Sequence, residues 1–369
     1  MPILDRVDPD LLKKIPNLPE HEQREMLALI EELEAAEAKE LARDGFMPFI
    51  KRVWPAFIEG RHHKIMGDAF ERVARGELKR LIINMPPRHT KSEFASYLLP
   101  AWFLGNFPEK KIIQTAHTAE LSVGFGRKVR NLVDSEDYKQ VFPTLGLRAD
   151  SKAAGRWSTT QGGEYFAIGV GGAVTGKGAD LLIIDDPHSE QEGQSADPGV
   201  FDKVYEWYTS GPRQRLQPGG AIIVVMTRWH KRDLTGQIIK SSVQRAGTDE
   251  WEVIEFPAIM PSGKSLWPQF WPLEELESLR NELPAPKWNA QYQQNPTSEE
   301  GALVKREWWR EWDSDVPPEC EFIIQSWDTA FLKTQRSDFS ACTTWGVFYH
   351  PDDVGTMQAN IILLDAHKE

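Results

Sequence analysis

Lys91 and Ser92 are the two residues of this sequence whose types and order most clearly indicate chemistry. They end a loop that follows the apolar run Leu81–Ile83 and precedes a predicted helix at Glu93–Leu99. Strand, loop, Lys-Ser and helix form the context of a P-loop, in which backbone N–H groups and the helix N-terminus surround phosphate. Lys91 is predicted to reach the β- and γ-phosphates of a nucleotide, and Ser92 to place its hydroxyl on Mg²⁺.

The predicted nucleotide-binding residues are consecutive: Pro87, Arg88, His89, Thr90, Lys91, Ser92 and Glu93. The usual pattern has glycine six positions before the lysine and immediately before it, where this chain has Met85 and Thr90. A β-branched residue restricts the backbone, so we expect Thr90 to weaken nucleotide affinity unless the loop accepts threonine. An unchanged ATP affinity after Thr90→Gly would reject that expectation. For this loop alone, an ordinary strand-to-helix turn with a surface lysine is the alternative.

A second glycine-rich run matches the P-loop spacing better, but its context is unsuited to phosphate. Gly171–Lys177 reads GGAVTGK, and Gly178 follows where a hydroxyl is needed. The run leads into a predicted strand at Asp180–Asp185, so no helix N-terminus is available to bind phosphate. We interpret it as a flexible glycine loop.

Two carboxylates follow the apolar run Leu181–Ile184, which is the Walker B form. A buried parallel strand presents such residues at its carboxyl end, where ligands bind in α/β sheets. Asp185 is predicted to hold Mg²⁺, directly or through water, and Asp186 to polarise the attacking water. Pro187 also fits a plain strand end, but the Lys-Ser loop upstream favours an ATPase.

Composition bounds the class of protein. The 369 residues are 40% hydrophobic, include 14 tryptophans and contain no apolar run of membrane-spanning length. The N-terminus has no secretory-signal pattern, and Cys320 and Cys342 lack metal-ligand spacing. We therefore expect a protein of a reducing cytosol, without a membrane.

The formal net charge of −12 argues against a basic coat protein for nucleic acid. Nine acidic and three basic residues lie in Glu20–Asp44, which is predicted to be an acidic amphipathic helix ended by Gly45. Two basic clusters are candidates for DNA contact or for plain solvated surface: Arg61, Lys64, Arg72, Arg75, Lys79 and Arg80, and Arg127, Lys128 and Arg130.

Strands alternate with helices, including a predicted helix at His62–Ala74. The further predicted strands are Lys111–Ala116, a hairpin over Trp157–Ile168, Ala221–Met226 and Glu252–Phe256. The alternation predicts an α/β fold with a mostly parallel sheet flanked by helices. The strand Lys111–Ala116, between the two phosphate motifs, indicates a P-loop NTPase of the ASCE type, in which a catalytic carboxylate follows Walker B.

Four regions are predicted along the chain. They are an acidic helical segment (1–45), a P-loop ATPase domain (46–283), a linker or lid region (284–320) and a partial RNase H-like nuclease domain (321–369). The last is based on three predicted strands: Phe322–Asp328, Ser340–Tyr349 and Met357–Asp365. Three strands do not make a stable domain alone, so we expect either a truncated chain or strands packed on the first domain.

Five ordered motifs resemble the large terminase subunit of tailed bacteriophages, the motor and nuclease of DNA packaging. They are NMPPRHTKSE at Asn84–Glu93, GVGGAVTGKGADLLIIDDP at Gly169–Pro187, TRWH at Thr227–His230, QYQQNP at Gln291–Pro296 and SWDTAF at Ser326–Phe331. The resemblance runs from about Phe46 to Ala366. Each motif alone is weak, whereas the ordered set is specific.

The resemblance implies an N-terminal ATPase that translocates double-stranded DNA and a C-terminal RNase H-like nuclease. Within the ATPase, Lys91 and Asp186 match catalytic residues, and Ser92 and Asp185 match the Mg²⁺ ligands. Arg88 matches a catalytic arginine within the loop that binds phosphate and stabilises transition-state charge.

Further roles are implied outside the loop. Thr227 and Arg228 match the strand end that senses the γ-phosphate and couples hydrolysis to motion. Arg127 or Arg130 is a candidate finger that acts in trans on a neighbouring subunit.

A nuclease of this kind needs at least three carboxylates for its metals. Asp328 matches the first ligand and Asp338 is an auxiliary candidate, whereas Asp365 is not expected to be the second. We expect the remaining ligands beyond Glu369, and little or no nuclease activity in this chain. Mn²⁺-dependent cutting of plasmid by this chain would refute that expectation.

The implied cofactors are ATP and Mg²⁺, with Mg²⁺ or Mn²⁺ for the full nuclease. The implied partners are double-stranded DNA, the portal protein, the small terminase subunit and further copies of this chain in a ring on the procapsid, with a monomer in solution also compatible. The setting is the host cell cytoplasm. DNA binding is expected to depend on phosphates and salt, not on base sequence.

Two other functions compete with this interpretation. A superfamily 2 helicase or translocase needs a second RecA-like domain, and the residues after Glu300 are too few and read as strands. A non-enzymatic remnant of the fold is favoured by Thr90 alone and opposed by the intact Lys91, Ser92 and Asp185.

Overall fold

The structure is a computed structural model that describes residues 18–193, 195, 197, 199–244, 247, 249–296, 312, 314, 316–328, 341–351 and 357–368. The chain divides into two compact units, Met1–Gly301 and Ala302–Glu369. None of the described helices is long and apolar enough to cross a membrane.

The described α-helices of the first unit are α1 (Glu20–Asp44), α2 (Phe46–Val53), α3 (Arg61–Ala74), α4 (Leu99–Asn106), α5 (Ala119–Val133), α6 (Glu136–Val141), α7 (Glu190–Gly193), α8 (Gly199–Ser210), α9 (Leu234–Gln244), α10 (Leu273–Glu282) and α11 (Ala285–Gln291). The predicted acidic helix is confirmed with its bounds, and Gly45 follows it in an extended conformation. Ala42 is its one buried residue, so most of this helix lies outside the core.

Eight strands of the first unit form one sheet: β1 (Arg80–Asn84), β2 (Lys111–Ala116), β3 (Leu147–Ala153), β4 (Arg156–Thr159), β5 (Glu164–Gly169), β6 (Ala179–Asp185), β7 (Leu216–Met226) and β8 (Glu252–Glu255). Their order is β3-β4-β5-β2-β6-β7-β1-β8. The pairs from β5 to β8 are parallel, whereas β3, β4 and β5 pair antiparallel. This confirms the predicted fold class, and β4 with β5 is the predicted hairpin.

β7 separates the two phosphate motifs in space. In the sheet, β7 lies between β1 and β6 and pairs with both in parallel. β2, which lies between the two motifs in the sequence, pairs with the other edge of β6. An extra strand between the P-loop strand and the Walker B strand is the ASCE arrangement, which confirms the predicted class.

The central strands are buried on both faces, as expected for a parallel sheet covered by helices. Leu81 and Ile83 of β1 pack in one apolar cluster with Phe94, and the intervening Ile82 packs in a second cluster with Val204. Alternating side chains therefore bind the sheet to both helical layers. This two-sided burial fixes the carboxyl edge of the sheet, where the phosphate motifs end.

The predicted helix after the phosphate loop has π geometry over Glu93–Leu98 before it continues as α4. The Leu99 N–H donates to the Phe94 carbonyl, five residues earlier. Pro100 has no N–H for the usual bond four residues back, so the wider turns precede the proline. Single π turns are frequent at functional sites.

The predicted linker differs from what the structure shows over its first part. Within the predicted range 284–320, α11 is a helix of the first unit, and Trp288 of that helix is buried. The Ala258 N–H donates to the Tyr292 carbonyl at 2.7 Å, which joins this segment to the residues that follow β8. The boundary between the units lies at Gly301, inside the predicted linker.

The second unit contains a three-stranded antiparallel meander: β9 (Phe322–Asp328), β10 (Ala341–Pro351) and β11 (Met357–Lys368). These strands are confirmed, with longer second and third members than predicted. The sheet order is β11-β10-β9, so β9 is an edge strand.

Candidate functional site

The carboxyl ends of β1 and β6 bring the two phosphate motifs into direct contact. The Lys91 Nζ lies 2.8 Å from Asp186 Oδ2. The Ser92 hydroxyl donates to Asp185 Oδ1 at 3.0 Å. The predicted lysine, hydroxyl and two carboxylates thus meet at one edge of the sheet, where α/β proteins bind ligands.

The backbone at this edge is held in conformations that L-residues rarely adopt. Arg88 and Thr90 have φ of 63° and 68°, and Asp186 has φ of 39°. Positive φ is unfavourable for a residue with a Cβ, and above all for a β-branched one. Such strain persists where the surroundings fix it, and it clusters at binding and catalytic sites.

Charge compensation stabilises the buried lysine. Burial lowers the pKa of the Lys91 ammonium, but the nearby Asp186 and Asp185 outweigh it, so the net shift of its pKa is upward. Lys91 is therefore a cation at neutral pH. Burial and then the charge of Asp186 raise the pKa of Asp185 to about 7, against the lowering effects of Lys91 and the two serine hydroxyls.

Asp185 is placed as a cation ligand would be. It is 2% exposed, and its second oxygen, Oδ2, accepts from the Ser96 hydroxyl at 2.8 Å. A buried carboxylate and the Ser92 hydroxyl are hard oxygen donors of the kind that Mg²⁺ uses together with phosphate oxygens and water. The described residues contain no group of three or more His, Cys, Asp or Glu placed to hold a metal ion.

Thr227 joins the two phosphate motifs to the end of β7. Its backbone N–H donates to Asp186 Oδ1 at 2.8 Å, and its hydroxyl donates to the Met85 carbonyl at 3.2 Å. Met85 in turn donates its N–H to the Met226 carbonyl. A displacement of Asp186 or of Met85 would therefore move a hydrogen-bond partner of Thr227.

Arg228 extends this connection away from the site. Its Nε lies 2.9 Å from Asp233 Oδ2, and its backbone N–H donates to Gln294 Oε1 at 3.2 Å. Asp233 is fully buried and also accepts from the Trp229 N–H. Arg228 is therefore anchored to a buried carboxylate and to the segment that follows α11, and it does not contact Asp186 itself in the contacts described.

The other predicted loop residues differ in exposure. Arg88 is exposed, and its carbonyl accepts from Trp271 Nε1 at 3.4 Å. His89 is fully buried, and its Nδ1 lies 2.8 Å from the Pro87 carbonyl. Pro87 and Glu93 are half-buried, Glu93 in the first turn of the π-helix. The loop thus presents Arg88 outward and His89 inward.

The two candidate fingers lie on α5, whose first turn follows β2. Arg127 is exposed, and Arg130 is half-buried and donates to the Asn131 side chain at 3.1 Å. A role of either arginine in trans stays a prediction.

The rejected glycine run does precede a strand, as expected. Gly171 and Gly176 have positive φ, and Lys177 lies 3.2 Å from Glu164 Oε2, away from the Walker carboxylates.

The larger basic cluster is mostly neutralised: Arg72 lies 2.6 Å from Glu252 and Arg80 lies 2.7 Å from Asp249. These ion pairs favour a solvated, structural surface over a phosphate-binding face.

Sequence reasoning missed four residues around the site. Ser96 had a signal, since it stands four residues after Ser92 on a predicted helix and would share its face. Gln294 also had a signal, as a member of the QYQQNP motif, but the motif assigned it no role. His63 and Asp233 had none, because their contacts join residues that are distant in sequence or depend on loop geometry.

The predicted nuclease ligands are only partly described. Asp328 ends β9, whereas Asp338 lies outside the described residues. Asp328 pairs with Ala341 and Asp365 pairs with Thr344, three positions further along β10. That Asp365 is not the second ligand stays a prediction.

Neither a protein-family model nor a curated protein matches this sequence. Among solved structures, the chain is similar to the large terminase of bacteriophage HK97, at 15% identity over 87% of this chain and 67% of that one, with a TM-score of 0.47. It is also similar to the large terminase ATPase domain of Thermus phage P74-26, at 15% identity over 62% of this chain and 92% of that one, with a TM-score of 0.41.

A third similar structure is the large terminase of a thermophilic bacteriophage in complex with ADP, at 11% identity and a TM-score of 0.38. The match covers 76% of this chain and 64% of that one. The chain thus spans about two thirds of the length of the longer proteins it resembles.

Proposed function

We propose that this chain is the ATP-hydrolysing motor subunit of a viral DNA-packaging machine, of the large terminase type. The observation that carries the proposal is the meeting of Lys91, Ser92, Asp185 and Asp186 at one sheet edge, in the ASCE strand order. The ordered terminase-like motifs of the sequence support the DNA-packaging context.

Each charged residue has a defined task in ATP hydrolysis. Lys91 binds the β- and γ-phosphate oxygens from its position beside Asp186. When Lys91 turns to phosphate, Asp186 Oδ2 becomes able to accept a proton from the attacking water, while Oδ1 stays bound to the Thr227 N–H. The water oxygen bonds to the γ-phosphorus, the bond to the β–γ bridging oxygen breaks, and ADP and phosphate leave.

Asp185 and Ser92 would hold Mg²⁺, which neutralises charge on the β- and γ-phosphates when it is bound. Ser96 fixes the second oxygen of Asp185 and so orients the carboxylate toward Ser92. Arg88, exposed at the loop, would add positive charge at the transferred phosphate.

Thr227 and Arg228 would couple hydrolysis to movement. Thr227 contacts both Asp186 and the loop start, and the next residue, Arg228, is bonded to Asp233 and to Gln294. A change at the γ-phosphate that shifts Asp186 would therefore reach α9 and the segment after α11. Arg127 or Arg130 would complete a neighbouring subunit's site in a ring of identical chains.

The proposed substrate of the motor is double-stranded DNA, gripped through phosphates, with portal protein and small terminase subunit as partners on the procapsid in the host cytoplasm. The meander that carries Asp328 would belong to a metal-dependent nuclease that cuts the packaged DNA.

The proposal is tested by ATP hydrolysis with and without linear double-stranded DNA, beside Lys91→Ala. We expect hydrolysis that DNA stimulates and that Lys91→Ala abolishes. Lys177→Ala, in the rejected glycine run, is the matched control and should retain activity. Equal activity in Lys91→Ala would reject the site, and hydrolysis indifferent to DNA would reject the motor.

A further inference from the structure

Thr90 has a backbone conformation that usually requires glycine. Thr90 occupies the position that holds glycine immediately before the lysine in the usual P-loop, and its φ is 68°. A β-branched residue in this region is a conformational outlier that requires support from its surroundings.

A chain of three hydrogen bonds supplies that support. The Gly60 N–H donates to His63 Nδ1 at 2.8 Å, so the proton of the neutral ring lies on Nε2. His63 Nε2 lies 2.6 Å from Thr90 Oγ1, and the Thr90 hydroxyl donates to the His89 carbonyl at 2.5 Å. Each hydrogen bond thus has a defined donor and a defined acceptor.

His63 is itself immobilised. It is the third residue of α3 and is fully buried. Its ring stacks on Phe94 at 4.9 Å and meets Phe57 and Trp267 edge-on at 4.7 and 4.9 Å. Burial, followed by repulsion from His89, lowers the pKa of His63 to about 3, so the ring is neutral at physiological pH. A rigid neutral donor therefore faces Thr90.

Thr90 also begins the helix that follows the loop. Its carbonyl accepts from the Phe94 N–H at 3.0 Å, and Phe94 is the residue on which His63 stacks. The side chain and the carbonyl of Thr90 are thus both bound to the same buried layer.

We propose that His63 is a positioning residue of the nucleotide-binding loop, and that its Nε2–H holds Thr90 in the left-handed conformation that other P-loops obtain with glycine. The inference rests on the proposed nucleotide site at Met85–Ser92. It makes His63 necessary because of Thr90, and dispensable where glycine stands at that position.

The test is a double-mutant cycle of His63→Phe and Thr90→Gly, with ATPγS affinity as the readout. His63→Phe keeps a buried ring and removes the donor. We expect it to weaken affinity about tenfold in the Thr90 protein, the effect of one lost buried hydrogen bond, and less than about twofold in the Thr90→Gly background. An equal loss in both backgrounds, or no loss in either, overturns the proposal.

Two matched variants separate positioning from general packing. His63→Gln retains an N–H donor near the Nε2 position and should recover most of the affinity that His63→Phe loses. His62→Phe changes an equally buried neighbour on the same helix, which has no hydrogen bond to the Thr90 hydroxyl among the described residues, and it should show no coupling to Thr90→Gly. Coupling of His62→Phe as large as that of His63→Phe would contradict the inference.

The same cycle, measured as urea midpoints of the nucleotide-free chain, distinguishes the two levels of failure. If the unaltered chain does not bind ATPγS, the proposed function fails. The urea midpoints then still test whether His63 supports the conformation of Thr90. His63→Phe should then lower the midpoint more in the Thr90 chain than in the Thr90→Gly chain, where only the bond from the Gly60 N–H is lost. Equal shifts of the midpoint in both chains would refute the support of Thr90 by His63.

Discussion

Lys91 and Asp186 form an ion pair, with Nζ 2.8 Å from Oδ2, although they are far apart in the sequence. Lys91 is buried, whereas the Asp186 side chain is about one third exposed, so the pair stands at the border between the core and solvent. The other carboxylate oxygen of Asp186, Oδ1, accepts from the Thr227 N–H. This geometry makes Asp186 the counter-ion of the lysine, and we propose that the same carboxylate accepts the proton of the attacking water.

Asp186→Asn should therefore separate hydrolysis from binding. The amide keeps the size of the side chain and removes the base, so we expect phosphate release to fall by about 10²- to 10⁴-fold while nucleotide binding persists. Asp180→Asn is the matched control, because Asp180 also pairs with a lysine, Lys110 at 3.0 Å, at the opposite end of β6. Full hydrolysis by Asp186→Asn would exclude it as the base.

Ser96→Ala should change the response to Mg²⁺. The variant removes one hydrogen bond from Asp185 Oδ2, and we expect a several-fold higher Mg²⁺ concentration at half-maximal ATPase activity. The control is Ser122→Ala, because Ser122 is also a buried serine but bonds to the Ile168 carbonyl. A Mg²⁺ titration that is the same for both variants would contradict the role of Ser96.

Two carboxylates contact Arg228 and should differ greatly in their effect on stability. Asp233→Asn leaves a buried guanidinium without its buried carboxylate, and we expect a loss of about 3–5 kcal/mol in the free energy of unfolding. Glu255 is 46% exposed and lies 3.4 Å from Arg228, so Glu255→Gln should cost less than about 1 kcal/mol. Urea unfolding measures both, and similar losses would refute the assigned anchor.

Stability should fall as the pH falls below about 6.5. Burial is the first cause that lowers the pKa of His62, His63 and His89, to about 2, 3 and 4, so the folded chain keeps them neutral while the unfolded chain protonates them near 6.5. The stabilisation is complete above that pH and is lost below it, by about 1.4 kcal/mol per pH unit for each histidine.

His62→Phe isolates one of these contributions. Its free energy of unfolding should depend less steeply on pH than that of the unaltered chain, by about one proton between roughly pH 6 and pH 5. Urea unfolding at several pH values measures the slopes, and a His62→Phe slope equal to that of the unaltered chain would show that His62 is not neutral in the fold.

Much of the site could be predicted from the sequence because its signals are local. An apolar run that ends in Asp185-Asp186, and another that leads to Lys91-Ser92, announce a strand end and a phosphate loop within a dozen residues each. The same holds for α1, whose periodicity and terminal Gly45 gave its bounds.

Only the tertiary structure decided how these pieces meet. It placed β7 between the strands that carry the phosphate motifs, since strand order depends on crossovers that a linear pattern does not encode. It also showed that Thr90, unfavourable by its local backbone preference, is held by His63 through a side-chain contact 27 positions away. The sequence by itself determined which groups are present, and long-range packing determined which of them touch, because contact energies act on proximity in space and not on order along the chain.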